Sequence, residues 1–187
     1  IRSTLACQSR GSFCATICMS AASAARPHQT RLSLMAGLGG GLQNGPPLWA
    51  RPTLTFPTLF DQLTDRQIGW RYYIADDPPQ WLARLLYFCP LLWFPRFLGD
   101  PQRRQHLKPL RQFFVDARRH RLPPVVFLAP GLFTSGHPPT PLAAGQQWVL
   151  SILRVLQQQP DWRTTLLVVN FDEAGGFYDH VAPPVRD

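Results

Sequence analysis

Thr164-Thr165-Leu166-Leu167-Val168-Val169-Asn170-Phe171 runs without a break into Asp172-Glu173-Ala174-Gly175-Gly176-Phe177-Tyr178-Asp179-His180-Val181. The first half is β-branched and apolar, which predicts a central strand buried on both faces. Upstream, Trp148, Val149, Ile152, Leu153 and Leu156 make one apolar stripe over residues 143–158, and Pro160 stops that helix. Further back, Val125-Val126-Phe127-Leu128 reads as a short buried strand, and residues 102–120 as an amphipathic helix that Pro109 kinks or starts. Trp70 to Ala75 is an aromatic strand. Residues 58–68 are a helix with Thr58 as N-cap and Gly69 just past its end. Helix and strand alternate three times, which favours a parallel α/β sheet with right-handed crossovers.

The chain has 187 residues, enough for one domain or a piece of a larger one. Its 45% apolar content, with 12 Phe and 6 Trp, excludes wholesale disorder, collagen, a coiled coil and a Cys-rich mini-protein. The formal net charge is +8, carried by Arg with Lys108 as the one Lys, and Glu173 is the one Glu. Such charge suits phosphate-bearing partners or simply disperses over the surface. Arg104, Arg111 and Arg118 share a face at seven-residue spacing if 102–120 is one helix, with Arg103, Arg119 and Arg121 beside them. Cys14 and Cys18 form a C-x3-C pair without a matching second pair, a weak zinc signal. Leu82–Leu98 is too short and too interrupted by Arg84, Pro90, Pro95 and Arg96 to span a bilayer, and no signal peptide is visible. The Gly-rich run at 37–45 lacks the Gly-Lys-Ser/Thr ending of a phosphate loop. The missing Met and the stop at Asp187 lead to the expectation of truncation at both ends.

Ligands of open α/β sheets bind beyond the carboxyl ends of strands. Asp172 and Glu173 stand there, and Gly175 and Gly176 ease a turn that lets both face one cation. Adjacent carboxylates repel unless something positive neutralises them, and hard oxygen donors suit calcium, magnesium or manganese, or zinc with added nitrogen ligands. The residues alone equally allow two solvated acids in a turn. His180 can contact a phosphate, donate a proton, bind metal or serve as a hydrogen-bonded structural His. His137, in Ser135-Gly136-His137-Pro138-Pro139, follows the Val125–Leu128 strand and therefore opens on the same side of a parallel sheet. His28, His106 and His120 have no such setting.

Phe171-Asp-Glu-Ala-Gly-Gly-Phe-Tyr-Asp-His-Val-Ala-Pro-Pro184 resembles the signature of the bacterial-type phosphoesterase family, which includes non-haemolytic phospholipase C enzymes and an acid phosphatase branch. Further likenesses follow in family order. They are Leu59-Phe60-Asp61-Gln62-Leu63 with Gly69-Trp70-Arg71-Tyr72-Tyr73, Leu122 to Pro130 followed by His137-Pro138-Pro139, Gly145-Gln146, and Pro160 to Thr165. The likeness covers residues 26–187, a partial phosphoesterase domain, and leaves 1–25 as an unplaced N-terminal segment.

The resemblance implies an α/β, alkaline-phosphatase-like fold: a mostly parallel sheet flanked by helices, here incomplete. It implies metal-assisted hydrolysis of phosphate esters, with Asp172 and Glu173 as ligands of a divalent metal ion, His137 on the phosphoryl group and His180 in the same pocket. It also implies a phosphate-ester substrate such as a phospholipid, peripheral membrane contact, no nucleic acid, and export to the periplasm or outside the cell. The chain departs from the family pattern in three places, the first two of which stand against full activity. The family's Glu-Asn pair on the opening strand is absent; the slot of its Ser or Thr nucleophile falls near Pro27, with Thr30 displaced; and Ala174 replaces a His found in many members. The alternative expectation is a basic fragment that binds nucleic acid or anionic lipid without catalysis.

Overall fold

The structure is a computed structural model that describes residues 13–19, 27–37, 54–76 and 89–171. Strand β1 (Phe13–Met19) precedes helix α1 (Pro27–Ala36). Thr58 then opens α2 (Leu59–Asp65) as its composition predicts. The Thr58 N–H and hydroxyl both donate to Asp61 Oδ2 at 2.8 Å, while the Asp61 N–H donates back to Thr58 Oγ1 at 3.4 Å. Two donors are thus satisfied reciprocally at the helix start. The helix ends earlier than Gly69. Gln67 takes the left-handed turn at φ 56°, with the Gln67 N–H donating to Thr64 O and the Ile68 N–H to Leu63 O.

After β2 (Trp70–Ile74) come the short helices α3 (Pro95–Gly99) and α4 (Pro101–Arg104), then β3 (Leu107–Pro109) and α5 (Leu110–Arg118). The single helix expected over 102–120 is therefore split. Pro109 ends a three-residue strand and occupies the N-cap position of α5, where its missing N–H costs nothing. His120, at φ 51°, closes α5 with the same double hydrogen bond seen after α2: the His120 N–H to Ala117 O and the Arg121 N–H to Asp116 O. β4 (Val125–Ala129), α6 (Leu142–Gln157) and β5 (Thr165–Phe171) complete the described chain.

The five strands form one sheet in the order β3-β2-β4-β1-β5, and every pairing is parallel. Helices lie on both faces, an architecture compatible with the alkaline-phosphatase-like fold the resemblance implies. β1 comes from the segment that the resemblance left unplaced. It lies between β4 and β5, with Ile17 level with Leu128 on one side and Val169 on the other.

Alternation along β2 and β4 divides the core into two layers. Trp70, Tyr72, Ile74, Phe127 and Ala129 face α1, α2 and the Pro90–Trp93 turn, where Phe60 touches the Trp70, Tyr72 and Phe127 rings. Tyr73, Val126 and Leu128 face α5 and α6, meeting Phe113, Trp148, Ile152 and Leu156. Two polar clusters brace this arrangement, one between α5 and β2 and one among α2, α3 and α4. Asp116 on α5 accepts from Arg71 and from the Tyr73 hydroxyl, both on β2. Asp61 on α2 is gripped by Arg96 through Nε at 2.9 Å and Nη2 at 2.6 Å, and is also hydrogen-bonded by Arg103.

One expectation is overturned. β5 is not a central strand buried on both faces. Among the described residues it is the edge of the sheet, and Leu166 and Phe171 are 52% and 56% exposed. Leu167 packs into the α5–α6 layer, but no described helix covers Leu166 or Val168 on the other face. Apolar composition predicts that a segment is a strand; it does not say which neighbours cover it.

Two predictions follow from this packing. Burial alone raises the Asp61 carboxyl, but hydrogen bonds from Arg96 and Thr58 together with the Arg96 charge hold it at about 2, below its ordinary 3.8. A carboxylate whose pKa falls on folding stabilises the protein above the unfolded value, and that contribution disappears as pH drops through the folded one. Denaturant unfolding should therefore show a loss of stability between pH 4 and pH 2 that Asp61→Asn removes, while Asp61→Asn at pH 7 costs about 2 kcal/mol. Separately, Gln67→Gly and His120→Gly should each raise the unfolding free energy by up to about 1 kcal/mol, because a Cβ is strained in the left-handed region.

Candidate functional site

Because all five strands are parallel, the chain leaves β4, β1 and β5 at the same edge of the sheet. Leu128, Ile17 and Val169 lie in one row across it. One strand separates β4 from β5, so their carboxyl ends are roughly 10 Å apart at ordinary strand spacing. The loop bearing His137 departs from the first end, and Asp172 follows Phe171 at the second. The segment leading to α1 departs from the strand between them, and α1 begins at Pro27 with Thr30 in its first turn.

The loop from Pro130 to Pro141 is tied down by its own polar groups. The Gly131 N–H donates to Thr134 Oγ1 at 2.9 Å. The Ser135 and Thr140 hydroxyls both donate to Leu132 O at 3.2 Å. Ser135 Oγ, fully buried, also accepts the His137 N–H at 3.1 Å, and the Thr140 N–H donates to His137 O at 2.9 Å. Gly136 sits at φ 77°, a conformation that L side chains rarely adopt.

This backbone holds the His137 ring at the surface with Nδ1 2.6 Å from Pro138 O. A carbonyl oxygen only accepts, so Nδ1 carries the proton. A neutral ring held this way presents Nε2 as a lone pair, suited to a metal ion or a proton. A protonated ring presents Nε2–H, suited to a phosphoryl oxygen. Ser135 and Gly136 are the residues that sequence reasoning passed over: one orients His137 through its N–H, the other permits the turn. Their only trace in the sequence is the Ser-Gly-His-Pro-Pro string itself.

Asp172, Glu173 and His180 lie outside the described residues. Among the described residues, no group of three or more His, Cys, Asp and Glu is placed to hold a metal ion. Cys14 and Cys18 both fall on β1 (Phe13–Met19). Cys89 is fully buried, and burial pushes its thiol up to about 12 despite hydrogen bonds from Leu91 and Leu92 and the charge of Arg31. The Arg face does not form. Arg104 and Arg111 belong to different helices, Arg111 pairs with Asp76, and Arg103 pairs with Asp61. Arg118, Arg119 and Arg121 remain exposed beside the turn into β4, at the opposite edge of the sheet from His137. No described helix is long and apolar enough to cross a membrane.

The sequence model of the Phosphoesterase family matches residues 7–187. The chain is 45% identical over 130 residues to Phospholipase C A of Mycobacterium tuberculosis, covering 66% of this chain and 25% of that protein. It is 45% identical over 73 residues to Phospholipase C B of the same species, covering 38% of this chain and 14% of that one. It is 31% identical over 134 residues to Non-specific phospholipase C6 of Arabidopsis thaliana, covering 68% and 24%. The chain thus spans about a quarter or less of the length of these relatives.

Gly136→Ala should cost about 1–2 kcal/mol in denaturant unfolding, because it forces a Cβ into the left-handed region. It should also shift the ring resonances of His137 in NMR spectra, since the turn sets where that ring sits. Ser135→Ala should move the same resonances by removing the acceptor of the His137 N–H.

Proposed function

Since this chain belongs to the phosphoesterase family, we propose that it carries part of a site that hydrolyses phosphate esters of the phospholipase C type. The observation that supports this reading most is the shared edge. A rigid loop presents His137 beyond β4, and Asp172–Glu173 follow directly on β5 in the same parallel sheet. In this reading Asp172 and Glu173 hold a divalent cation, and His180 belongs to the same pocket. The donor chemistry fits: two carboxylates offer hard oxygens to the cation, and His137, with Nδ1 already committed to Pro138 O, is left with Nε2 for the phosphoryl group. When bound, such an ion supplies positive charge to the phosphoryl oxygens and favours an ionised hydroxyl.

The chain's own residues do the rest. His137, oriented by its Nδ1–H bond to Pro138 O, donates Nε2–H to a non-bridging phosphoryl oxygen when protonated. The loop hydrogen bonds keep that donor in place before substrate arrives. The family's hydroxyl nucleophile has no counterpart at Pro27. Ser135 does not replace it, being buried with its hydroxyl donated to Leu132 O. The departures at Pro27 and the missing Glu-Asn pair support a reduced rate in this chain. Export to the periplasm or outside the cell belongs to the same reading.

A second reading, binding of a polyanion without catalysis, is favoured by the exposed Arg118, Arg119 and Arg121 at the far edge. Its binding must weaken steeply as salt rises.

The test is hydrolysis of a chromogenic phosphate ester with and without chelator. Chelation, Asp172→Asn, Glu173→Gln and His137→Ala should each lower turnover at least about a hundredfold if they serve one site. Turnover that chelator leaves unchanged would remove the cation from the account.

A further inference from the structure

On the carboxyl edge the ends of β2 and β3 carry the Asp76–Arg111 ion pair, whereas the loop after β4 carries no Asp, Glu, Lys or Arg. From Leu122 through Leu153 the chain contains no Asp, Glu, Lys or Arg, although it holds 19 basic and 11 acidic residues. Within that stretch Phe133 is 68% exposed and Leu142 50% exposed. Phe133 sits in the Leu132–Thr134 turn just after β4, and Leu142 is the first residue of α6. The exposed prolines 138, 139 and 141 lie between them in sequence, around His137. The hydrogen bonds onto Leu132 O and Gly131 N–H hold the turn rigid, so Phe133 is held outward by structure and not left loose.

We propose that the Leu132–Leu142 loop is a lipid-docking surface, whose occupant is the interface of a zwitterionic phospholipid layer. The inference rests on the phosphoesterase reading, and it names where a lipid substrate would meet the site. Charge decides the kind of layer. An aromatic ring, a leucine and three prolines on an uncharged loop gain from leaving water but offer no charge to an anionic headgroup, and Arg111 at the neighbouring strand end is already paired with Asp76. The exposed Arg118, Arg119 and Arg121 are at the other end of the strands, about 17 Å away for five residues of β4. They face away from any layer that Phe133 enters. Docking is therefore hydrophobic, tolerant of salt and indifferent to anionic lipid.

The experiment is sedimentation of the full chain with phosphatidylcholine vesicles, at low and high salt, with and without added phosphatidylglycerol. Three variants are compared: Phe133→Ser, Leu142→Ser, and the triple variant Arg118→Glu, Arg119→Glu, Arg121→Glu. The expected result is binding to pure phosphatidylcholine that survives high salt. Phe133→Ser should weaken it roughly tenfold or more, as expected for withdrawing one large apolar side chain. The triple variant should bind as the parent does. Phe133→Trp, read by quenching from brominated lipid, should place residue 133 below the headgroups. Hydrolysis of a water-soluble phosphate ester, measured in parallel, should be unchanged by Phe133→Ser.

The two readings separate cleanly. Vesicle binding that depends on Phe133 in a chain inactive on the soluble ester keeps the docking surface and counts against catalysis. Binding that requires phosphatidylglycerol and vanishes in the triple variant overturns the proposal. So does unaltered binding by Phe133→Ser, or a dimer that Phe133→Ser dissociates, which would make the occupant a second copy of the chain.

Discussion

β1 lies between β4 and β5 and donates and accepts hydrogen bonds on both sides, all in parallel register. The rest of the arrangement depends on that insertion. It makes the carboxyl ends of β4 and β5 neighbours-but-one. It forces the loops after β4, β1 and β5 to open at a common edge. Without it, the β5 strand would have no described partner.

Much of this frame was legible in the sequence. β2, β4, β5, α2 and α6 declare themselves through runs of apolar residues, a 3.6-residue stripe or a Thr cap, all local signals. β1 was not legible. Phe13-Cys-Ala-Thr-Ile-Cys-Met has a weak strand signature among small residues, and what makes it a strand is pairing with segments far away in the chain. β3 was hidden for another reason: Leu107 fits the helical spacing of 102–120, and the break at Pro109 separates a strand from a helix only once β2 is beside it. Gly69 looked like the helix stop, yet Gln67 takes the strained position, because the hydrogen bonds to Leu63 and Thr64 outweigh the preference for glycine. The prominence of β5 misled about coverage, since composition reports how apolar a strand is and not what lies on it.

The site was partly legible in the same sense. The rule that ligands sit beyond strand ends selected His137, and the structure puts it on a rigid loop at that edge. The roles of Ser135 and Gly136 depend on a hydroxyl direction and a backbone angle, which no residue pattern announces. The split of charge also emerges only in three dimensions. In the sequence, arginines and an uncharged stretch merely alternate. In the fold, the helix ends carrying Arg118, Arg119 and Arg121 and the loop carrying His137 occupy opposite rims of one sheet.

The place of β1 also has a consequence in time. Cys14 pairs with Val125 and Phe13 with Thr165, so the strand emerges from the ribosome more than a hundred residues before either partner. Until β4 has been synthesised both its edges stay open, and one of them stays open until β5 follows. Such long-range closure makes for high contact order and slow maturation, and it leaves the nascent polypeptide dependent on whatever shields sticky intermediates in the cell.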